Sequence, residues 1–539
     1  MRMNGKLFSS WLLVPLLVVG CSAGHHEKKA DAQVYQILKK AEKHVFGKSK
    51  GFSIDTKYSG KKPSEIKAAQ LLAESQSGGV LTLNIDQALS YAAINSREYQ
   101  SEKESLYLAA LSLTGARNNF GPNFSSTASA RVRDQPNGDT RGTANLNQRV
   151  SQNFLSGGNY SLSLANDLLR YFSGDPRKSA GSVISLNILQ PLLRGAGRKV
   201  AAEQFTQANR NVIYAIRDYH HFQNTFSKDI VIQYLRLMQQ KESVSNQYKN
   251  YISRQKNTEY LRARSVDRAS PQEVSDSEQG ELQAKNSWIN AKSRYQTSLD
   301  NFKLTLGAPT SVKLNLNDSE LEKLVKAGLQ PLSVSQRQAF SLALKNRLPL
   351  INDIDRFDDS KRQVVIAANQ LKAQVNLLAS ATLNNTGDSF EKFDLDNLSS
   401  QVGVELNLPI NRINERNNYR RSLIRFQSSI RSLSRTYDSL NNLIIRRIRE
   451  VQQFKQNYDI QRNAVKLAEK RVEGNRLRFQ AGTVIFRRLS ESQDALISAQ
   501  NAVTAALIDY QNARLQLYTD IGILDPNASN YWLDRNPTR

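Results

Sequence analysis

Ser185-Leu186-Asn187-Ile188-Leu189-Gln190-Pro191-Leu192 and Val404-Glu405-Leu406-Asn407-Leu408-Pro409-Ile410 are both alternating runs that stop at a proline, and the prolines stand 218 residues apart (409 − 191). A long proline-free stretch follows each, from Pro191 to Pro271 and from Pro409 to Pro526. Each copy closes on a tyrosine twelve residues before a glycine, Tyr295 with Gly307 and Tyr510 with Gly522, a shift of 215. A repeated order of helix, strands and long helix pair makes the repeat the unit of architecture. It implies a wall built from copies.

The alternating runs predict half-buried strands, because period two with one polar face is the strand signature. Phe124, Ser126, Ala128, Ala130 and Val132 share one face; Ser125, Thr127, Ser129, Arg131 and Arg133 share the other. Tyr160, Leu162 and Leu164 alternate with polar residues in the same way. So do Val375, Leu377, Ala379, Ala381 and Leu383, and Val402, Val404, Leu406, Leu408 and Ile410. Strand regions at about 122–190 and about 375–410 fit the roughly 9–11 residues that a transmembrane strand needs. An ordinary soluble sheet would show the same period.

Long helices are expected after each proline. Ile430, Tyr437, Ile444, Val451 and Tyr458 recur every seven residues, with Phe426, Leu433, Leu440 and Phe454 beside them. Phe205, Val212, Tyr219 and Phe226 repeat the spacing in the first copy. Such seams predict left-handed coiled-coil packing. Helices over 196–262 and 413–478 would each span roughly 100 Å. Shorter helices over 86–118, 272–306, 335–372 and 484–521 would match that length when stacked in pairs. Asp86 is the expected N-cap of the first of these.

Composition narrows the class. A hydrophobic content of 39% and a mean hydropathy of −0.53 argue against a helical membrane protein. The apolar run Trp11 to Gly20 is too short to span a bilayer, follows Arg2 and Lys6, and reads as a secretion signal over residues 1–20. Any later membrane span must be a barrel. Cys21 is the one cysteine, and Val18-Val19-Gly20-Cys21 resembles a bacterial lipobox, which implies a lipid on Cys21 as the only covalent addition, with no other cofactor. Ser22 in place of Asp points to the outer membrane. Residues 21–80 read as a polar lysine-rich tether, with a short helix possible over Ala30 to Phe46. The net charge of +25 would suit nucleic acid, but the signal sequence argues against that partner. Arg412, Arg416 and Arg420 form either a solvated face or a site for a polyanion. The five histidines lack metal-ligand spacing, and no phosphate loop, nucleophile elbow or dinucleotide fingerprint is present, so neither a metal site nor an enzyme is expected.

Leu83-Asn84-Ile85-Asp86-Gln87-Ala88-Leu89 and its partner Val334-Ser335-Gln336-Arg337-Gln338-Ala339-Phe340, Gln190-Pro191-Leu192-Leu193-Arg194-Gly195, and Arg478-Phe479-Gln480-Ala481-Gly482-Thr483 together resemble the TolC-like outer-membrane factors. The likeness covers most of residues 81–524. It implies an α+β membrane protein: a homotrimer whose strands form an outer-membrane β-barrel, continued by a periplasmic α-helical coiled-coil barrel. Each chain would hold two repeats, 81–309 and 333–524, joined by an equatorial linker at 310–332 and followed by a tail at 525–539. The family pattern gives four strands per subunit and a twelve-stranded barrel. The first copy here carries about four alternating segments where that pattern needs two, so residues 143–168 would form an additional hairpin.

The resemblance also implies sites. Phe479, Ala481, Gly482 and Thr483 would form a hairpin tip that meets a periplasmic adaptor protein, or else a plain interhelical turn. The first-copy tip, Ser265 to Pro271, has no glycine, so the two tips should differ. Arg487, Arg488 and Glu491 fall where relatives ring the tunnel mouth; an ion pair between Arg488 and Glu491 is the simpler alternative. The functional expectation is an exit duct of a tripartite efflux or type I secretion system, working with an inner-membrane pump indirectly. The alternative is a secreted coiled-coil scaffold lipoprotein that binds anionic polymers.

Overall fold

A computed structural model describes residues 23–49, 51–134, 140–171, 178–264, 270–332, 334–386, 390, 392–528 and 530–533. The signal, Cys21 and most of the first-copy tip (265–269) lie outside the described residues. The chain divides into two compact units, and each draws on both repeats. The first comprises Met1–Ser53, Ser105–Ile216 and Asp353–Ser434; the second comprises Ile54–Glu104, Arg217–Asn352 and Arg435–Arg539. Sequence repeats and compact units are thus different divisions of the same chain.

The first unit is organised around a six-stranded antiparallel sheet. Its strands are β2 (Asn123–Asp134), β3 (Thr140–Asn153), β4 (Asn159–Tyr171), β5 (Lys178–Pro191), β7 (Gln374–Asn385) and β8 (Phe393–Asn407), in the order β2-β3-β4-β5-β7-β8. Cross-strand neighbours share a face. One row therefore reads Phe124, Val150, Leu162, Leu186, Ala381 and Ser400, and another reads Gln152, Tyr160, Ile188, Ala379 and Val402. The opposite face carries Ser125, Arg149, Ser163, Ser185, Thr382 and Ser399 in register. One side of the sheet is mainly apolar, with Gln152, Ser400 and the bonded Asn166 and Ser182 as its polar members, and the other is mainly polar. The described sheet thus has six strands where the family pattern implies four, and the additional hairpin expected over 143–168 is present as β3 and β4.

The same unit holds α1 (Ala23–Phe46), whose Val34, Ile37 and Leu38 are buried. Tyr107 donates to Asp31 at 2.6 Å, and Tyr35 lies edge-on to Tyr107 and Phe52. Burial, then the bond to Asp31, raises the Tyr107 phenol well above its ordinary value. The expected short helix thus starts seven residues earlier than Ala30 (30 − 23) and is docked. The rest of the expected tether, in the second unit, includes a 3-10 turn at Pro63–Glu65 and α2 (Ala68–Ser75). It is tied down as well: Ser311 donates to the Ser77 carbonyl at 3.0 Å, and Gln100 to the Ile54 carbonyl at 2.8 Å.

The helices depart from expectation where they break. The first is two helices, α3 (Ile85–Asn95) and α4 (Arg97–Asn118). Its N-cap is Asn84 and not Asp86: the Gln87 amide donates to Asn84 Oδ1 at 2.7 Å, and the Asn84 amide to Gln87 Oε1 at 2.9 Å. After α5 (Arg198–Ala201) come α6 (Glu203–Arg264), α7 (Pro271–Leu306) and α8 (Ser319–Ala327). The second copy repeats the cap and the break. Ser335 and Gln338 form the same reciprocal box ahead of α9 (Gln336–Asn346), and α10 (Leu348–Gln370) follows Arg347. The long pair is α11 (Ile413–Gln480) and α12 (Phe486–Asp520). Among the described residues no helix is long and apolar enough to cross a membrane.

The repeated glycines explain the breaks. Gly307 ends α7 at φ +75°, and a Cβ there would collide with the Asn95 carbonyl. Gly522, just past α12, has φ +74°, and a Cβ there would collide with the Asn346 carbonyl. Each helix end presses into the break of its own copy, and only glycine allows both the approach and the backbone angle. Nearby, β1 (Val80–Leu83) pairs in parallel with β6 (Lys313–Leu316), and Tyr234 donates to the Leu83 carbonyl at 2.9 Å. The expected linker at 310–332 is therefore ordered around β6 and α8. Tyr531 and Trp532 of the tail are buried, with Gln511 donating to the Trp532 carbonyl.

Candidate functional site

The turn between α11 and α12, in the second unit, is built by backbone capping. The Thr483 amide donates to the Arg478 carbonyl at 3.0 Å and the Gly482 amide to the Phe479 carbonyl at 3.0 Å. This is a Schellman closure, and Gly482 at φ +74° supplies the left-handed residue it requires. The Thr483 hydroxyl adds a bond to the Arg478 carbonyl at 3.1 Å. Ala481, Gly482 and Thr483 are exposed.

Phe479 faces the other way. It is 8% exposed and forms a cluster with Leu261, Phe486 and Leu489, with Val274 packed against it. Its ring sits 6.0 Å from Phe486 and 6.1 Å from Tyr260. Of the four tip residues expected to meet a partner, three present a surface and Phe479 holds that surface in place.

One turn into α12, Arg487, Arg488 and Glu491 are all exposed. Glu491 pairs with Arg487 at 3.2 Å, four residues earlier, and not with Arg488 as the simpler sequence reading had it. The Arg488 carbonyl accepts from Asn475 at 3.3 Å, which ties the start of α12 to α11. An exposed pair of this kind contributes only about 0.3–0.5 kcal/mol, so these charges are open to other work.

Sequence reasoning missed Arg254. It is 2% exposed, donates to the Ser490 carbonyl at 2.9 Å and pairs with Asp494 at 2.8 Å. Beside it Thr258 and Ser277 share a hydroxyl bond at 2.9 Å. A single arginine in a polar helix carries no signal. Gly280 did, as a glycine inside a helix, and a Cβ there would lie 3.3 Å from Arg254 Nη1. In the first unit, Arg412 donates to the Pro409 and Leu371 carbonyls at 3.0 and 2.6 Å. That residue caps a strand-to-helix passage, which removes it from a polyanion face. No group of three or more His, Cys, Asp or Glu that could hold a metal occurs among the described residues.

Residues 339–522 match the family model of outer membrane efflux proteins. No curated protein sequence matches the chain. Among solved structures it is similar to the outer membrane protein VceC from Vibrio cholerae, at TM-score 0.60 and 15% identity, covering 81% of this chain and 96% of that one. It is similar to the Campylobacter jejuni CmeC outer membrane channel, at TM-score 0.58 and 12% identity, over 81% and 85% of the two chains. The open state of the Neisseria gonorrhoeae MtrE outer membrane channel gives TM-score 0.58 at 12% identity, over 81% and 88%. At these identities the likeness establishes the fold. Residues 339–522 thus resemble the outer membrane efflux proteins, and along most of its length the chain has the fold of these outer membrane channels.

Proposed function

We propose that this chain is the outer-membrane channel of a tripartite efflux or type I secretion system, passing substrates outward without chemical change. The observation that carries the reading is the sheet of the first unit. Its alternation leaves one face mainly apolar for lipid and one mainly polar for water, as a membrane barrel requires. The family match over the second half and the channels of the same fold support it. In this reading three copies form the channel, lipid on Cys21 anchors each copy to the outer membrane, and Ala481, Gly482 and Thr483 meet a periplasmic adaptor that links to an inner-membrane pump. Arg487, Arg488 and Glu491, at the start of α12 just past that tip, form the candidate mouth ring.

Reconstitution tests this. The purified mature protein should require detergent, migrate as a heat-modifiable oligomer on gels and open ion-conducting steps in planar bilayers. A protein that stays soluble without its lipid and conducts nothing overturns the channel, and binding to anionic polymers would then establish the scaffold reading.

A further inference from the structure

The sheet has more strands than the resemblance implies, and its two ends are unfinished. β2 has 12 residues, all exposed, and β8 has 15, of which only Phe393 and Gly403 are partly covered. Neither carries a proline, and the register of β2 on β3 shows no shift. Soluble sheets blunt long edges with prolines, bulges or very short strands. β2 has no such protection, and β8 has one irregularity against β7, between Leu383 and Asn385, beyond which it stays in register from Leu398 to Asn407. In hydrocarbon the open N–H and C=O groups of both edges would have no partner at all. Six strands are fewer than the eight of the smallest membrane barrels, so one chain cannot close on itself.

Direction decides what can close it. Every pairing in the sheet is antiparallel, so β2 and β8, first and last of six, run in opposite directions. A rotation about the barrel axis then brings β8 of one copy antiparallel to β2 of the next, and the ring closes head to tail. Pairing β2 with β2 would instead turn one copy upside down in the bilayer.

The hairpin β3–β4 belongs to the wall. It pairs over nearly its full length with β2 on one side, Thr140 to Ser151, and with β5 on the other, Asn159 to Arg170. Its turn is fitted to the start of the helical part of the first unit. Gly157 has φ +98°, a Cβ there would collide with the Gly195 carbonyl, and the Gly197 amide donates to the Ser156 carbonyl at 2.8 Å.

We propose that three copies of this chain close an eighteen-stranded outer-membrane barrel, three times six, with β8 of each copy bonded to β2 of the next. This rests on the trimeric channel reading and fixes its girth. Strands about 4.8 Å apart and tilted about 40° give eighteen strands a diameter of roughly 36 Å, against roughly 24 Å for twelve. Barrels of 16–18 strands hold an open aqueous channel, so the outer vestibule would admit bulky solutes.

Electron cryomicroscopy of the full chain in lipid nanodiscs tests the count. A three-fold ring with eighteen wall strands is expected. A three-fold ring with twelve wall strands, or a two-fold ring, overturns this proposal and leaves the channel standing. Particles with no closed ring overturn both. A second measurement reads the width from solution. Neutral polymers added on the barrel side should enter the native vestibule up to a hydrodynamic radius about 1.5 times the cut-off for a chain lacking Thr140–Tyr171. Equal cut-offs would overturn the wider barrel even if that variant assembles well.

Discussion

The two long helices descend from one pattern yet meet different surroundings. With the 218-residue shift, Val212 of α6 corresponds to Ile430 of α11, and Phe226 to Ile444. Val212 is 1% exposed and Ile430 is 46% exposed, although both lie on a seven-residue seam in the first unit. In that unit α6 is also bound by charge. Glu203, Gln207, Arg210 and Tyr214 all reach Asp359 or Arg362 of α10, at 2.7–3.2 Å. Where α11 approaches the same helix, Ser360 and Ser429 share a hydroxyl bond at 2.9 Å beside a stacked Phe357 and Phe426. Farther along α11, in the second unit, Ile460 and Leu467 are 64% and 68% exposed and stand two turns apart on one stripe. The first copy has its partner within the chain. The second presents apolar surface at Ile430, Ile460 and Leu467, while Ile444 and Val451 of its seam are buried like Phe226 of the first.

The largest effect should come where the copies agree. Gly307→Ala and Gly522→Ala each place a Cβ against a backbone carbonyl at positive φ, and each should cost about 3 kcal/mol. Thermal denaturation of the detergent-solubilised protein reads this, and a large inequality between the variants would show that the two breaks are not equivalent.

Next come Val212→Ala and Ile430→Ala. In dissociated subunits the first should cost about 2 kcal/mol and the second no more than about 0.5, from the apolar area each already hides. In the assembled oligomer Ile430→Ala should begin to matter, read as a lower dissociation temperature on gels. Equal costs in the subunit would erase the contrast drawn above.

Asp359 supplies a pH dependence. Burial alone would raise its pKa, but bonds from Tyr214, Gln207 and Arg362 and the Arg362 charge outweigh that and leave it lowered. Its contribution is therefore present above the ordinary carboxylate value of about 3.9 and is lost as pH falls through the lower folded value. Acid titration of stability should lose this component in Asp359→Asn, and an unchanged acid limb would mean that the network does not titrate with folding.

The smallest effect on stability, within about 0.5 kcal/mol, is expected for Glu491→Lys, because its pair with Arg487 is exposed. The reading of a mouth ring predicts instead a change in single-channel conductance or cation block, and constancy in both would remove Glu491 from the ring.

Much of this was legible in the sequence because it rests on periodicity. Alternation over 124–132, 160–164, 375–383 and 402–410 located strands, and the surplus segments foretold the extra hairpin. The two prolines and their proline-free stretches placed α11 to within two residues and the end of α6 as closely, but α6 starts seven residues later than expected, behind the short α5. The helix breaks were not legible, because Ser96 and Arg347 are unremarkable in a helix and the cause lies far off, at Gly307 and Gly522. The N-cap was misplaced by two residues because Asn84 and Asp86 are both good caps, and only the return bond from Gln87 decides between them. The resemblance grouped Phe479 with the contact residues, and its burial depends on Leu261 and Val274 from the other hairpin. The contrast between Val212 and Ile430 was invisible for a plainer reason. Two β-branched aliphatics at equivalent seam positions look identical until their neighbours are known.

Thr140–Tyr171 leaves β2 and rejoins β5 at the same end of the sheet, because it contributes one strand in each direction. An insertion or deletion of this whole stretch would therefore be tolerated by the chain's path, while β2 and β8 would keep their sequences and their places at the two edges. Heritable change could in this way alter the girth of the wall in steps of two strands per copy and leave the residues through which copies recognise one another untouched.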